Sequence, residues 1–458
     1  MNENLSTYDS YQKADIFWAR SIPTHWSQVK IKHLFYERTE KGHPNEPLLS
    51  ATQSKGVIPT SLYGSRTVVA TKGFELLKLV EIGDFVISLR SFQGGIEFAY
   101  YRGIISPAYT VMKPNELINS GYFKYLAKSS LFIDLLKACV TGIREGQNIN
   151  YSLLKKSYIP LPPLDEQVQM HRFLDSKISK INKFIKDKKR EIELLKELKQ
   201  AEVNRLVTKG LNPDAPMKDS GIDWIGEIPE HWKVIPLKHL VTSNVESLSN
   251  NTEPDKEISY IDISSVGFGY LKQKPEIYKF KDAPSRARRI VHKGDIIIST
   301  VRTYLKSFCF ITEDFANNIV STGFAVLTPF ENVNTKYLSY AFSADYFINS
   351  VIQNSIGISY PAINDSKLMT LKIVLPQSAD EQEVLVQKLE LVTKQIDNFI
   401  ILIEKDISLT QEYKTSLISN VVTGKVDVRD VKVEEVFEPE ALEEPEVGDE
   451  AGEVEEQL

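Results

Sequence analysis

Residues Ile22 to Leu34 read IPTHWSQVKIKHL, and residues Ile228 to Leu240 read IPEHWKVIPLKHL. Seven of these thirteen positions are identical at a constant offset of 206. Self-similarity of this kind sets the architecture before any single element is assigned, because each copy must fold into the same unit. Trp18 and Trp224 keep the offset upstream. Downstream, GDFVIS from Gly83 to Ser88 is answered by GDIIIS from Gly294 to Ser299. ISPAYTVM from Ile105 to Met112 is answered by VSTGFAVL from Val320 to Leu327, and LPPLDEQ from Leu161 to Gln167 by LPQSADEQ from Leu375 to Gln382. Order is kept while the offset drifts from 206 to 215, which describes a tandem duplication with small insertions.

Each copy has two parts. The first is rich in Tyr, Phe, Val, Ile and Gly, and its short apolar runs (FVISL, DIIIST) bounded by polar turns read as strands. Helical stretches interleave at Asn119 to Lys137 and Thr335 to Ile352. The second part follows a proline and carries helical periodicity for more than 40 residues. In copy one the apolar stripe is Leu174, Ile178, Ile181, Ile185, Ile192 and Leu195; in copy two it is Leu385, Leu389, Val392, Ile396, Phe399 and Ile403. A helix of about 45 residues is roughly 68 Å long. Alone it would leave its stripe in water, and two such helices packed antiparallel cover each other. Asp165 to Lys209 carries twelve Lys/Arg against eight Asp/Glu, and Asp380 to Lys425 carries five against eight, so opposite net signs also favour the pairing. The expected fold is α+β: two tandem strand-rich domains of mixed α/β type, each followed by a long helix, with the helices forming an antiparallel coiled coil in a pseudo-twofold arrangement. The boundaries are an N-terminal arm (1–20), a first domain (21–160), a central spacer helix (161–210), a linker (211–226), a second domain (227–375), a C-terminal spacer helix (376–425) and an acidic, disordered tail (426–458).

Composition narrows the class. The 458 residues are 42% hydrophobic and 25% charged, the proportions of a globular protein of two or three domains. No apolar run reaches 18 residues, so no membrane span is expected. Met1 to Gln12 is polar and has no apolar core of a signal peptide. Two cysteines, Cys139 and Cys309, lie in different halves among apolar neighbours and read as reduced, buried thiols of a cytoplasmic protein. The net charge of −6 hides an asymmetry: Val433 to Leu458 holds twelve carboxylates and no Lys or Arg, which leaves the first 432 residues at +6.

Catalytic machinery is hard to find. There is no phosphate-cradling G-x-x-x-x-G-K-[ST] loop. Gly267-Phe268-Gly269 lacks a third glycine and reads as a strand turn, and the Asn-Pro-Pro-aromatic signature of amino-methyltransferases is missing. Pro213-Asp214 and Pro254-Asp255 lack the following acid-x-Lys of a metal-dependent nuclease. The seven histidines show no metal-ligand spacing; His25, His33, His231 and His239 recur with the repeat and read as packing and turn residues. The expectation is a chain with no catalytic site, no metal and no bound cofactor.

A binding surface is better supported. Copy one offers Lys55, Arg66, Arg90, Arg102 and Arg144 with Gln93, Gln147, Asn148 and Asn150; copy two offers Arg286, Arg288, Arg289, Arg302 and Lys306. Lys and Arg bind phosphates, while Arg, Gln and Asn can pair with guanine and adenine edges. A duplicated basic module therefore points to nucleic acid. The chosen contact residues are Arg90, Arg102, Arg144, Gln147 and Asn148 in copy one, and Arg302, Lys306, Ser359 and Tyr360 in copy two. Arg90 and Arg302 follow equivalent Gly-Asp strands, and Arg144 and Ser359 follow Gly142-Ile143 and Gly357-Ile358.

Three stretches carry a family resemblance: DWIGEIPEHW from Asp223 to Trp232, VTKGLNPD from Val207 to Asp214, and LPPLDEQ from Leu161 to Gln167. Together with the twofold alternation of globular unit and helix, they make the chain resemble the specificity subunit of type I restriction-modification systems. That resemblance implies two target recognition domains, each reading one half of a bipartite, asymmetric site on double-stranded DNA. The paired helices would set the spacing of the half-sites and seat two methyltransferase subunits, which restriction subunits would join. S-adenosylmethionine, ATP and Mg2+ would sit on those partners. The alternatives are a coiled-coil interaction scaffold, or an antirestriction-like decoy that reads no bases.

Overall fold

The computed structural model describes residues 6–16, 18–53, 55–62, 73–87, 95–141, 148–222 and 224–433. In copy one, strands lead to α1 (Ser120–Lys128), α2 (Ser130–Ala138), the single turn α3 (Tyr151–Leu154), a strand at Tyr158–Leu161 and the long α4 (Leu164–Lys209). Copy two repeats this order with α5 (Thr335–Ser343), α6 (Asp345–Gln353), α7 (Asp365–Leu368), a strand at Lys372–Leu375 and the long α8 (Ala379–Val422). The chain divides into two compact units, Met1–Lys188 with Lys405–Leu458, and Lys189–Glu404. Each unit thus takes half of each long helix.

In the first unit an antiparallel sheet runs in the order Phe35–Glu37, Thr110–Pro114, Phe85–Ile87, Ile96–Phe98. The second unit has the same sheet from Val241–Ser243, Phe324–Pro329, Ile296–Ser299 and Phe308–Phe310. The Gly-Asp pair before the central strand is a turn device in both. Gly83 and Gly294 sit at φ 90° and 91°, where a side chain is disfavoured. Asp84 and Asp295 each accept a backbone N–H three residues back, from Glu81 (2.9 Å) and His292 (2.7 Å).

The second unit carries a further four-stranded sheet, Glu276–Lys279, Glu257–Ile261, Ile319–Ser321, Ala287–Ile290, with one parallel pair in its middle. In the first unit the corresponding strands are two hairpin-like pairs, Leu49–Thr52 with Gly56–Pro59 and Lys78–Val80 with Gly103–Ile105, joined by a parallel bridge from Leu48 to Ile104. Each domain is closed by pairing its entry strand with the strand before its long helix: Ser27–Lys30 with Tyr158–Leu161, and Lys233–Pro236 with Lys372–Leu375.

The long helices run antiparallel. In the first unit Met170, Phe173, Leu174, Ile178, Ile181 and Ile185 of α4 share a core with Leu417, Ile418, Val421 and Val422 of α8. In the second, Val203, Leu206 and Val207 share one with Leu385, Val386 and Leu389. Polar ties flank these cores, Lys414 to Asn182 (2.7 Å) in the first unit and Lys199 to Asp397 (2.7 Å) in the second. Phe399 departs from the expected stripe: it is 59% exposed, while Ile396 and Ile403 are buried. Position 399 lies three residues beyond 396 and four before 403; the buried stripe passes from Ile396 to Ile403 with Ile400 half-buried between them.

One further expectation is sharpened and another needs correction. The helical stretches Asn119 to Lys137 and Thr335 to Ile352 are each a pair of short helices. Ser129 and Ala344 adopt extended backbone (ψ 143° and 141°) between them, and the Ser129 side chain caps α2 by accepting from the Phe132 N–H. Residues 426–433, read as the start of a disordered tail, are docked. Val428 is wholly buried, and Val426, Val431 and Val433 pack on the core of the first unit. Gln169 donates to the carbonyls of Val428 (2.9 Å) and Val431 (2.7 Å), and Asp427 bridges to Ser6. The valines alternate with charged residues, which is the pattern of a half-buried extended segment. The rest of the tail, 434–458, lies outside the described residues. Cys139 and Cys309 are both buried and free.

Candidate nucleic-acid interface

A surface that reads anything needs a fixed mount, and the repeated motifs supply it. The Glu of the Asp-Glu-Gln motif meets the His-Trp dipeptide in both copies. Glu166 accepts from Trp26 Nε1 (3.1 Å), pairs with His25 Nε2 (2.9 Å), and also accepts from the Tyr8 hydroxyl. Glu381 accepts from Trp232 Nε1 (2.9 Å) and pairs with His231 Nε2 (3.0 Å). The neighbouring glutamines do the same job as each other. Gln167 donates to the carbonyls of Pro162 (2.8 Å) and Leu117 (3.2 Å) and accepts from the Asn119 N–H (2.7 Å). Gln382 donates to the carbonyl of Pro376 (2.9 Å) and accepts from the Asn334 N–H (3.4 Å).

A tyrosine completes each mount. Tyr122, fully buried, donates to the carbonyls of Pro160 and Val422, both at 3.1 Å. Tyr337, also fully buried, donates to those of Val374 (3.2 Å) and Val207 (3.4 Å). Burial drives both phenols well above their ordinary range, so they stay protonated and keep the proton they donate. In each unit the tyrosine ties the strand-rich domain to the last turn of a long helix, α8 in the first and α4 in the second. The sequence marked His-Trp and Glu-Gln as repeated but gave no sign that they touch. The shared signal was that both travelled with the duplication.

Of the residues chosen from sequence, Arg302, Lys306, Ser359 and Tyr360 come together on the second domain. The Arg302 guanidinium stands 4.9 Å from the centre of the Tyr360 ring, a cation–π contact. Thr300–Ser307 and Ser355–Asn364 form two loops locked side by side. Val301 bridges to Ala362, Ile363 N–H donates to the Thr300 carbonyl (2.9 Å), and Thr303 Oγ1 donates to Ser355 Oγ (2.7 Å). Arg302 and Lys306 take left-handed backbone (φ 50° and 54°), two of the four non-glycine residues with positive φ among those described. Each such residue costs about 1–2 kcal/mol. The locking contacts hold that strain where two cations point outward.

The first domain is less visible. Arg90, Arg144 and Gln147 lie outside the described residues, and of Asn148 only the backbone is described, in a two-residue strand with Ile149. Arg102 is exposed but already engaged: it pairs with Glu46 (2.8 Å) and Glu81, and its hydrogen bond to Glu46 raises its pKa. To meet a base or phosphate it would have to exchange these carboxylates. Elsewhere in the second unit, Arg288 stacks over Phe280 (4.8 Å), and half-burial lowers the pKa of Arg289. Among the described residues no group of three or more His, Cys, Asp or Glu is placed to hold a metal ion, and no helix is long and apolar enough to cross a membrane.

A family model, the type I restriction modification DNA specificity domain, matches the chain twice, at residues 25–194 and 229–408. The chain is 26% identical over 364 residues to the type I restriction enzyme MjaVIII specificity subunit of Methanocaldococcus jannaschii, covering 77% of this chain and 81% of that protein. It is 27% identical over 335 residues to a putative MjaX specificity subunit of the same organism, covering 71% and 69%. Among solved structures, a chain from work on assembly and conformational transition of the type I R-M system superposes with a TM-score of 0.64 at 16% identity, covering 88% of this chain and 98% of that one. The HsdS subunit from Thermoanaerobacter tengcongensis gives 0.51 at 16% identity with the same coverage. These two likenesses are of fold.

Proposed function

The chain belongs to the type I restriction modification DNA specificity family, and from that premise we propose that it is the non-catalytic reading subunit of a type I complex. Residues 21–160 and 227–375 each read one half of a bipartite, asymmetric site on double-stranded DNA. The paired α4 and α8 set the separation of the halves, and two methyltransferase subunits and the restriction subunits assemble on the chain. S-adenosylmethionine, ATP and Mg2+ are held by those partners. The complex works in the cytoplasm, where its DNA is.

The observation that carries this reading is the double family match, one per copy, on a fold whose mounts are themselves duplicated. Contacts to the DNA are assigned to Arg302, Lys306, Ser359 and Tyr360 in the second domain and to Arg90, Arg102, Arg144, Gln147 and Asn148 in the first. Phosphate neutralisation by these cations makes binding strongly salt-dependent. Half-sites read from one face of B-DNA lie about 34 Å apart, or a multiple of it, which calls for stiff helices between the readers.

The test is methylome sequencing of a host carrying this chain with its methyltransferase subunits. Exchanging residues 21–160 for those of a relative changes one half of the methylated site and leaves the other. Adding one helical turn to both long helices changes the length of the unread spacer. An ungapped site, or an unchanged spacer in the lengthened variant, overturns the reading.

A further inference from the structure

The two locked loops of the second domain carry a feature that cations alone do not explain. Ile356 is 81% exposed and Ile358 is fully exposed, with Gly357 between them at φ 121°. Tyr304, Leu305 and Tyr360 are also more than half exposed on the same pair of loops. Aliphatic side chains held out in water in this way mark a contact surface. The loop is not loosely placed: Ile356 and Ala362 exchange both backbone hydrogen bonds (2.8 and 3.0 Å), so the tip from Gly357 to Pro361 is a pinned hairpin turn. Thr300–Ser307 and Ser355–Asn364 contain Arg302 and Lys306 and no carboxylate. The surface is therefore an apolar point on a pair of loops whose only charges are positive, with Arg302 held against Tyr360 of the tip.

We propose that Ile358 is a specificity-determining residue that reads an A·T pair by packing on the 5-methyl group of thymine. The inference rests on the DNA-binding role proposed above and adds the chemical group that the second domain recognises. Its charge pattern fits the major groove, whose walls are anionic phosphates and whose floor offers one apolar group, the thymine methyl. Arg302 and Lys306 face the walls while Ile358 reaches the floor. The Tyr360 ring also holds the Arg302 guanidinium beside the tip.

The experiment uses the assembled complex of this chain with its methyltransferase subunits and a duplex bearing its own methylated site. The half read by the second domain is identified by exchanging residues 227–375. Each thymine of that half is then replaced by deoxyuridine, which deletes only the methyl group. At one position the substitution weakens binding by roughly fourfold, the effect of one buried methyl. I358A binds the thymine and uracil duplexes equally, and I358V retains part of the preference. Ile358 makes no buried contact, so these variants leave the fold intact, and unchanged methylation of the other half-site confirms it. The inference is overturned if no position shows a methyl dependence that I358A removes, or if the half-site contains no A·T pair. It is also overturned if 2-aminopurine in the half-site brightens on binding in an Ile358-dependent way, since that marks a wedge between bases. Failure of the DNA-binding role itself would look different: no bipartite methylated site would be found at all.

Discussion

Glu166 and Glu381 hold the same two donors in the same geometry, yet their surroundings differ. The Glu166 side chain is 3% exposed and that of Glu381 is 29% exposed. Tyr8 adds a third donor to the first carboxylate, and Arg429 lies over the Tyr8 ring at 5.0 Å. The docked segment 426–433 thus roofs the first clamp, whereas the second stays open to water. Duplication fixed the geometry of the clamp, and the segments outside the repeat, Tyr8 and 426–433, set how deeply the first one is buried.

The largest expected contrast follows directly. Glu166→Ala strands the Trp26 N–H and the Tyr8 hydroxyl in a dry site and should lower stability by about 3 kcal/mol. Glu381→Ala exposes its partners to solvent and should lower it by about 1 kcal/mol. Denaturant unfolding followed by hydrogen exchange assigns each loss to its unit. Equal losses would break the comparison.

A second contrast is in acid response. Glu97 and Cys309 hold the same place in the two sheets, opposite Val86 and Ile297. Burial pushes the Glu97 carboxyl up to about 7, against the pull of Lys128 at 2.7 Å. Burial pushes the Cys309 thiol up to about 11, so it stays neutral. An unfolded Glu titrates near 4.5, so the folded first unit binds the Glu97 proton more tightly than the unfolded chain does. Its contribution to stability is full below that pH and is lost as pH rises through about 7. Thermal unfolding between pH 5 and 8 should therefore show the first unit weakening as pH rises, and Glu97→Gln should flatten that slope. A slope in the second unit of the same size would contradict this assignment.

The smallest expected effects are matched ones. Tyr122→Phe and Tyr337→Phe each remove a donor to two buried carbonyls and should each lower stability by about 1 kcal/mol. Because the two mounts are alike here, unequal losses would show that the domains are not held to their helices in the same way.

Much of this architecture was legible in the sequence because duplication and periodicity are local, readable signals. The long helices announced themselves through Leu174, Ile178 and Ile181 and through Leu385, Leu389 and Ile396. The break at Ser129 was signalled by the helix-capping pair Ser129-Ser130 between two apolar runs, and the docked segment by the alternation of Val426, Val428, Val431 and Val433 with charged residues. The meeting of Glu166 with Trp26 was not legible, since the contact spans 140 residues and nothing in either motif names its partner. Of the proposed reading surface, the cations Arg302 and Lys306 were chosen by their chemistry. Ile358 was passed over because an isoleucine in a sequence looks like core until its exposure is known.

The first unit is assembled from both ends of the chain. Its apolar core includes Leu417, Ile418, Val421 and Val428, which lie beyond the 216 residues of the other unit. At ribosomal speeds of about 5–20 residues per second, those partners emerge roughly 11–48 s after Lys188. During that interval the nascent first domain presents the unpaired flank of α4, with Phe173, Leu174 and Ile178, while the second domain can gather a contiguous stretch of chain. Birth order thus runs opposite to chain order: the domain synthesised second can finish first, and the one synthesised first must wait for the closing helix.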